Sequence, residues 1–160
     1  MGLFDWLSGK RRDVGGSSRM GLRLQYPPTP QHAARHAQIA VDAARNVTAV
    51  HLDYSPESLA EVDKIVGAFH TEGLRPDQIG ETVFSFGCYV GEVMVRHDRG
   101  VWKMPRETKL PEALKEGNNM MVIEFPNGDV CNPIGKAFKL LELGEGESLS
   151  FFYQAFAPKG

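Results

Sequence analysis

Apolar and polar positions along the chain alternate with helical period over most of its length and with strand period in a few short runs. Thr29-Pro30 forms a helix start, because a threonine oxygen can cap free N–H groups and proline is tolerated at the first helical position. A helix to about Asn46 follows, with Ala33, Ala37, Ala40, Val41, Ala44 and Val47 in one stripe of small side chains that allows a close neighbour. Thr48 to Tyr54 then alternate, Val50, Leu52 and Tyr54 against Ala49, His51 and Asp53, which predicts a strand. Ser55-Pro56-Glu57 repeats the cap-plus-proline signature, and Leu59, Val62, Val66 and Phe69 keep helical spacing until Gly73.

After Arg75-Pro76-Asp77, the spacing of Ile79, Val83, Phe86, Val90 and Val93 predicts a third helix. Gly80, Gly87 and Gly91 each cost it up to about 1 kcal/mol against alanine, which implies tight packing around them. The valine and aromatic content of VFSFGCYVGEVMV keeps a strand reading open for the same stretch. Val101 and Trp102 begin a strand, and the charged, proline-containing residues 103 to 118 read as a loop. Met120 to Phe125 and Val130 to Asn132 flank PNGD, where Asn127-Gly128 suits a two-residue hairpin turn. Ile134, Ala137, Phe138 and Leu141 mark a helix to Gly144, and Leu149, Phe152, Tyr153 and Phe156 a last one. Trp102, Phe125, Phe138, Phe152 and Phe156 are expected in the core. The sum is an α+β fold: about five helices on a small antiparallel sheet of three to four strands, in one domain over residues 29–160.

Ahead of that domain, Leu3, Phe4, Trp6 and Leu7 share one half of a helical wheel and are followed by Lys10, Arg11 and Arg12, so residues 1–12 read as an amphipathic tip. Residues 13–28, with Gly15-Gly16-Ser17-Ser18 and Pro27-Pro28, read as a flexible linker. Charge sharpens this division. Residues 1 to 23 hold five Lys or Arg against Asp5 and Asp13, leaving 13 basic and 18 acidic side chains, a net −5, for the rest. An acidic body argues against a nucleic-acid-binding domain, which would spread cations over a folded face. No stretch approaches the roughly 20 apolar residues that span a bilayer. Two cysteines, Cys88 and Cys131, form no disulfide framework and suit a reducing, cytoplasmic setting.

Four groups of residues could carry chemistry. His32 and His36 have the four-residue spacing of a helical metal pair, but Ala-Ala-Arg between them supplies no general base, and solvent-facing histidines are the simpler expectation. Glu92, in an apolar stretch with Tyr89 before it and Arg96 four residues after, is either a buried acid-base group or half of an i,i+4 ion pair. His97 and Asp98 lie close to it in sequence, while Asp53 and Asp98 occupy ordinary structural places for Asp, the end of a strand and a turn. Cys88, amid Phe86, Gly87 and Tyr89, fits buried packing better than a nucleophile. No glycine-rich phosphate loop is present, so no nucleotide site is indicated; no cofactor is expected, and a metal held by His32 and His36 is the lesser alternative to solvent-facing histidines.

The run G-C-Y-V-G-E from Gly87 to Glu92, followed by Arg96 and by Gly100-Val101-Trp102, resembles the central motif of small bacterial proteins grouped only as a domain of unknown function. The resemblance extends back to Leu52–Leu59 and forward to Asn132-Pro133 and Lys136, covering about residues 50–156 and leaving out the tip. It implies a mixed α+β domain in a bacterial cytoplasm and carries no activity. These readings together predict a non-enzymatic interaction module (an adaptor, immunity-type or cargo protein) whose tip, through Leu3, Phe4, Trp6 and Leu7, docks to a protein partner or a membrane surface. The alternative is a small hydrolase or transferase using Glu92 with Tyr89, in a cleft between the third helix and the sheet.

Overall fold

The computed structural model describes residues 22–115 and 120–157. The tip residues Leu3, Phe4, Trp6 and Leu7 lie outside them. Six α-helices are found among the described residues: α1 (Ala33–Thr48), α2 (Leu59–Thr71), α3 (Pro76–Asp98), α4 (Glu112–Lys115), α5 (Pro133–Leu143) and α6 (Leu149–Phe156). Strands β1 (Val101–Lys103), β2 (Val122–Glu124) and β3 (Val130–Cys131) form one antiparallel sheet in the order β1-β2-β3. The α+β architecture of helices on a small antiparallel sheet is the one the sequence pattern predicts.

Helix α3 is the axis of the fold. Its 23 residues pack against α1 along one side and α5 along another, and an unbroken run from Val83 to Met94 is buried. VFSFGCYVGEVMV is helical from end to end, so the helical reading holds and the strand reading does not. Only a residue without a side chain fits where α3 meets α5: a Cβ on Gly87 would stand 2.6 Å from the Cα of Ile134. The alanines of α1 allow a similar approach on the other side, with Ala33, Ala37, Ala40 and Ala44 all buried. Helix α2 joins through α5 and α6. Asp63 on α2 accepts from the Ser148 hydroxyl (2.8 Å) and from the backbone N–H groups of Leu149 (2.6 Å) and Ser150 (3.2 Å), capping α6 from outside its own chain segment.

Local starts follow the sequence signals with one change of agent. Ser55, Asn132 and Ser148 each accept a cap bond from the N–H three residues on. Thr29 makes no such bond, and a single 3-10 turn over Pro30–His32 leads into α1 instead. Proline therefore sets that start by fixing its own φ.

Four expectations are corrected. Thr48–Tyr54 is not a strand: α1 runs on to Thr48, Ala49 closes it in the left-handed region (φ 59°), and Val50 to Asp53 pair with no strand. The alternation there records burial of Leu52 against exposure of His51 and Asp53, and burial alone makes no ladder. Residues 22–28 are not a free linker, since Leu22 and Leu24 are 3% and 2% exposed in the core. Residues 103–118 are not all loop, for Lys103 ends β1, Pro105–Glu107 form a 3-10 turn and α4 follows. The hairpin turn has three residues rather than two. Phe125 N–H bonds to Asp129 O, Gly128 N–H to Phe125 O, and only Gly128 takes positive φ (93°), the pattern of a turn closed by a glycine bulge.

Pairing Val101 with Glu124, Trp102 with Ile123 and Ile123 with Cys131 fixes the two faces of the sheet. Trp102, Ile123 and Cys131 point to the helices and are buried, whereas Val101, Lys103 and Glu124 share the opposite face. Trp102, Phe125 and Phe138 are core residues as expected; Phe152 and Phe156 pack against the core while remaining partly exposed.

Candidate functional site

The motif residues converge on the C-terminal half of α3. A Cβ on Gly91 would stand 2.0 Å from Cζ2 of Trp102, so the indole of β1 lies where that side chain is missing. Its Nε1–H donates to Oε2 of Glu92 at 2.9 Å. The buried carboxylate and the buried indole thus satisfy one another. The expected Glu92–Arg96 ion pair does not form. Arg96 lies instead over the ring of Tyr54, with Cζ 3.5 Å from its centroid.

Tyr89 has an equally defined partner set. Ser58 donates its hydroxyl hydrogen to Ser55 O (2.6 Å), so across the 2.6 Å contact between Ser58 Oγ and Tyr89 Oη the phenol is the donor. Tyr89 Oη in turn accepts the backbone N–H of Tyr54 (2.7 Å). Tyr54 sits at φ 64°, a conformation that costs a residue bearing a Cβ, and its ring lies against that of Tyr89 at 4.8 Å. His97 Nε2 completes the clamp at 2.8 Å from Tyr54 O. Burial raises the Tyr89 phenol above its ordinary range. Cys88 is fully buried, and burial, reinforced by Glu92, pushes its thiol well up. Asp98 accepts from Tyr153. Asp53 accepts the Ser55 N–H (3.0 Å), and hydrogen bonds from the Ser55 side chain first and its backbone second hold the Asp53 carboxyl below the usual range.

The histidine pair also departs from expectation. His36 is not solvent-facing: it is 1% exposed, packs edge-on to Phe84 at 4.9 Å, and has Nε2 3.0 Å from Pro27 O. Burial lowers its pKa from the ordinary value of 6.5. His32 is half-buried and stacked on Tyr26 at 6.0 Å. Among the described residues no three His, Cys, Asp or Glu side chains come together as a metal site would require.

A second place was not apparent in the sequence. On the outer face of the sheet an open groove of about 230 Å³ is lined by Arg99, Val101, Lys103, Lys109 and Glu124, with Phe125, Pro126 and Gly128 of the hairpin turn. Glu124 accepts from Lys103 Nζ (2.6 Å) and from the Lys109 backbone N–H (3.1 Å), and the Lys103 bond is the main cause of its lowered pKa. Arg99 and the Lys109 ammonium have no ion-pair partner among the described residues. Arg99 is the left-handed residue (φ 60°) that ends α3, a position that favours glycine. The visible signal was Asp98-Arg99-Gly100, where Arg and not Gly closes the helix.

No protein-family model, no curated protein and no solved structure matches this chain. No helix among the described residues is long and apolar enough to cross a membrane.

Proposed function

We propose that the chain is a non-enzymatic interaction module whose folded body presents a recognition surface and whose residues 1–12 dock to a protein partner or a membrane surface through Leu3, Phe4, Trp6 and Leu7. One observation supports this above the hydrolase or transferase reading: the residues best suited to catalysis by type are engaged in holding the body together. Glu92 is bound to Trp102, Tyr89 clamps Tyr54 and Ser58, and Cys88 is sealed in the core. The apolar side chains of the tip are absent from that account, and their amphipathic spacing ahead of Lys10, Arg11 and Arg12 suits an apolar groove or an anionic lipid surface.

Four apolar side chains at about 1.5–3 kcal/mol each, set against about 1–2 kcal/mol of ordering entropy per residue, leave a weak contact. A second attachment on the body would strengthen it by raising the effective concentration of the tip. The test compares the full chain with one lacking residues 1–12, in co-purification from cells and in sedimentation with vesicles containing anionic lipid. Recruitment is expected to be lost with the melting transition nearly unchanged. Unaltered recruitment, or a large loss of stability, refutes the proposal.

A further inference from the structure

The groove on the outer face of the sheet has a charge opposite to that of its surroundings. Residues 24–160 carry a net −5, yet the groove brings Arg99, Lys103 and Lys109 together against one carboxylate. That carboxylate, on Glu124, is already bound to Lys103 Nζ and to the Lys109 backbone. Among the described residues neither the guanidinium of Arg99 nor the ammonium of Lys109 makes an ion pair, although the charge of Lys109 is felt by Glu124. Both residues are exposed, and Val101, in the strand beside them, is 52% exposed despite being apolar. Arg99 also occupies a left-handed backbone position (φ 60°) at which glycine is the unstrained residue. A cation at the end of α3 also suits the negative end of the helix, and beside a second cation and an uncovered valine it makes a groove that is both basic and partly apolar.

We infer that this groove binds an acidic peptide segment of a partner protein, with carboxylates at Arg99 and Lys109 and an apolar side chain on Val101. Charge complementarity selects the acid, and the exposed valine selects, over a bare anion, a peptide with an apolar residue two positions from each of two acidic ones, which an extended backbone puts on one face. The acidic body disfavours a nucleic-acid strand, whose phosphates would meet repulsion beyond the groove. The groove residues named lie between 99 and 128 and the tip is residues 1–12, so separate variants test the two proposals.

The experiment uses the full chain and a fluorescently labelled, end-blocked peptide with a Glu-Ser-Leu-Ser-Glu core, compared with the same peptide carrying Gln for Glu. Anisotropy titrations are expected to show saturable binding of the Glu peptide that weakens as salt is raised, and at least about tenfold weaker binding of the Gln peptide. Arg99→Glu with Lys109→Glu should abolish binding. Arg99→Gly should weaken it about tenfold while melting no lower than the natural chain, because glycine relieves the backbone. The chain lacking residues 1–12 should bind the peptide unchanged, which separates this site from the tip. Absence of saturable binding, equal binding of the Gln peptide, or indifference to the charge reversals overturns the inference. Displacement of the peptide by equimolar inorganic phosphate overturns the choice of a peptide and leaves a small-anion site.

Discussion

On the inner face of the sheet Trp102 gives its N–H to Glu92 and fills the space left by Gly91, so that donor, acceptor and volume are matched. On the outer face, a strand's width away, Arg99 and Lys109 carry charges with no ion-pair partner among the described residues, and Val101 stands uncovered. The same three strands therefore serve as a closed seam on one side and an open one on the other. A group whose partners are all inside the molecule contributes to stability and has little left to offer a ligand. Groups that are costly or idle inside the molecule are the ones that point outward to a partner.

The contrast predicts that substitutions on the inner side act on stability. The largest effect is expected from Gly91→Ala. Its methyl group meets the Trp102 ring 2.0 Å away, and overpacking should cost about 2–3 kcal/mol after allowing for the gain of about 1 kcal/mol that alanine brings to a helix. Chemical denaturation would measure it, and a neutral result would mean that the sheet can slide off α3. Tyr89→Phe comes next, with a cost of about 2 kcal/mol, because it orphans the Tyr54 N–H and removes the donor to Ser58. Hydrogen exchange should show the amides of residues 50–55 losing protection ahead of the rest of the domain. Retained protection there would show that Arg96 and His97 hold Tyr54 without the phenol.

The smallest effect is one of pH. His36 has its pKa lowered by burial, so the unfolded chain binds a proton more readily than the folded one. The stability this histidine contributes is present above the ordinary value of 6.5 and is lost as pH falls through the lower, folded value. His36→Gln should flatten that part of the stability–pH profile, and an unchanged slope would assign it to other groups. Set beside these losses, the expected tolerance of Arg99→Gly on the outer face completes the comparison.

What the sequence disclosed follows the same division. Helix α3 was legible because Ile79, Val83, Phe86, Val90 and Val93 keep one period over four turns, and its glycines announced close packing that Gly87 and Gly91 now display. The α+β class followed from such runs. Partnerships across the fold were not legible. Glu92 was read against Arg96, its neighbour along the helix, and found Trp102 on another element. Leu22 and Leu24 were read by the flexibility of the residues before them, and only the space beside Gly80, where a Cβ would meet Leu22 Cδ2 at 2.5 Å, shows why they are held. TAVHLDY misled because alternating exposure has causes other than a ladder. The groove was invisible because Arg99, Lys103 and Lys109 look like ordinary surface charges until strand register sets them on one face.

The seating of Trp102 also gives the protein an optical handle. The chain has two tryptophans, Trp102 in the core and Trp6 in the amphipathic tip. An indole enclosed beside a carboxylate reports by its emission whether the sheet is docked on α3, while Trp6 would report the docking proposed for the tip. With Trp6→Phe or Trp102→Phe, each can be followed alone, so folding of the body and engagement of the tip become two separate signals in one unlabelled molecule.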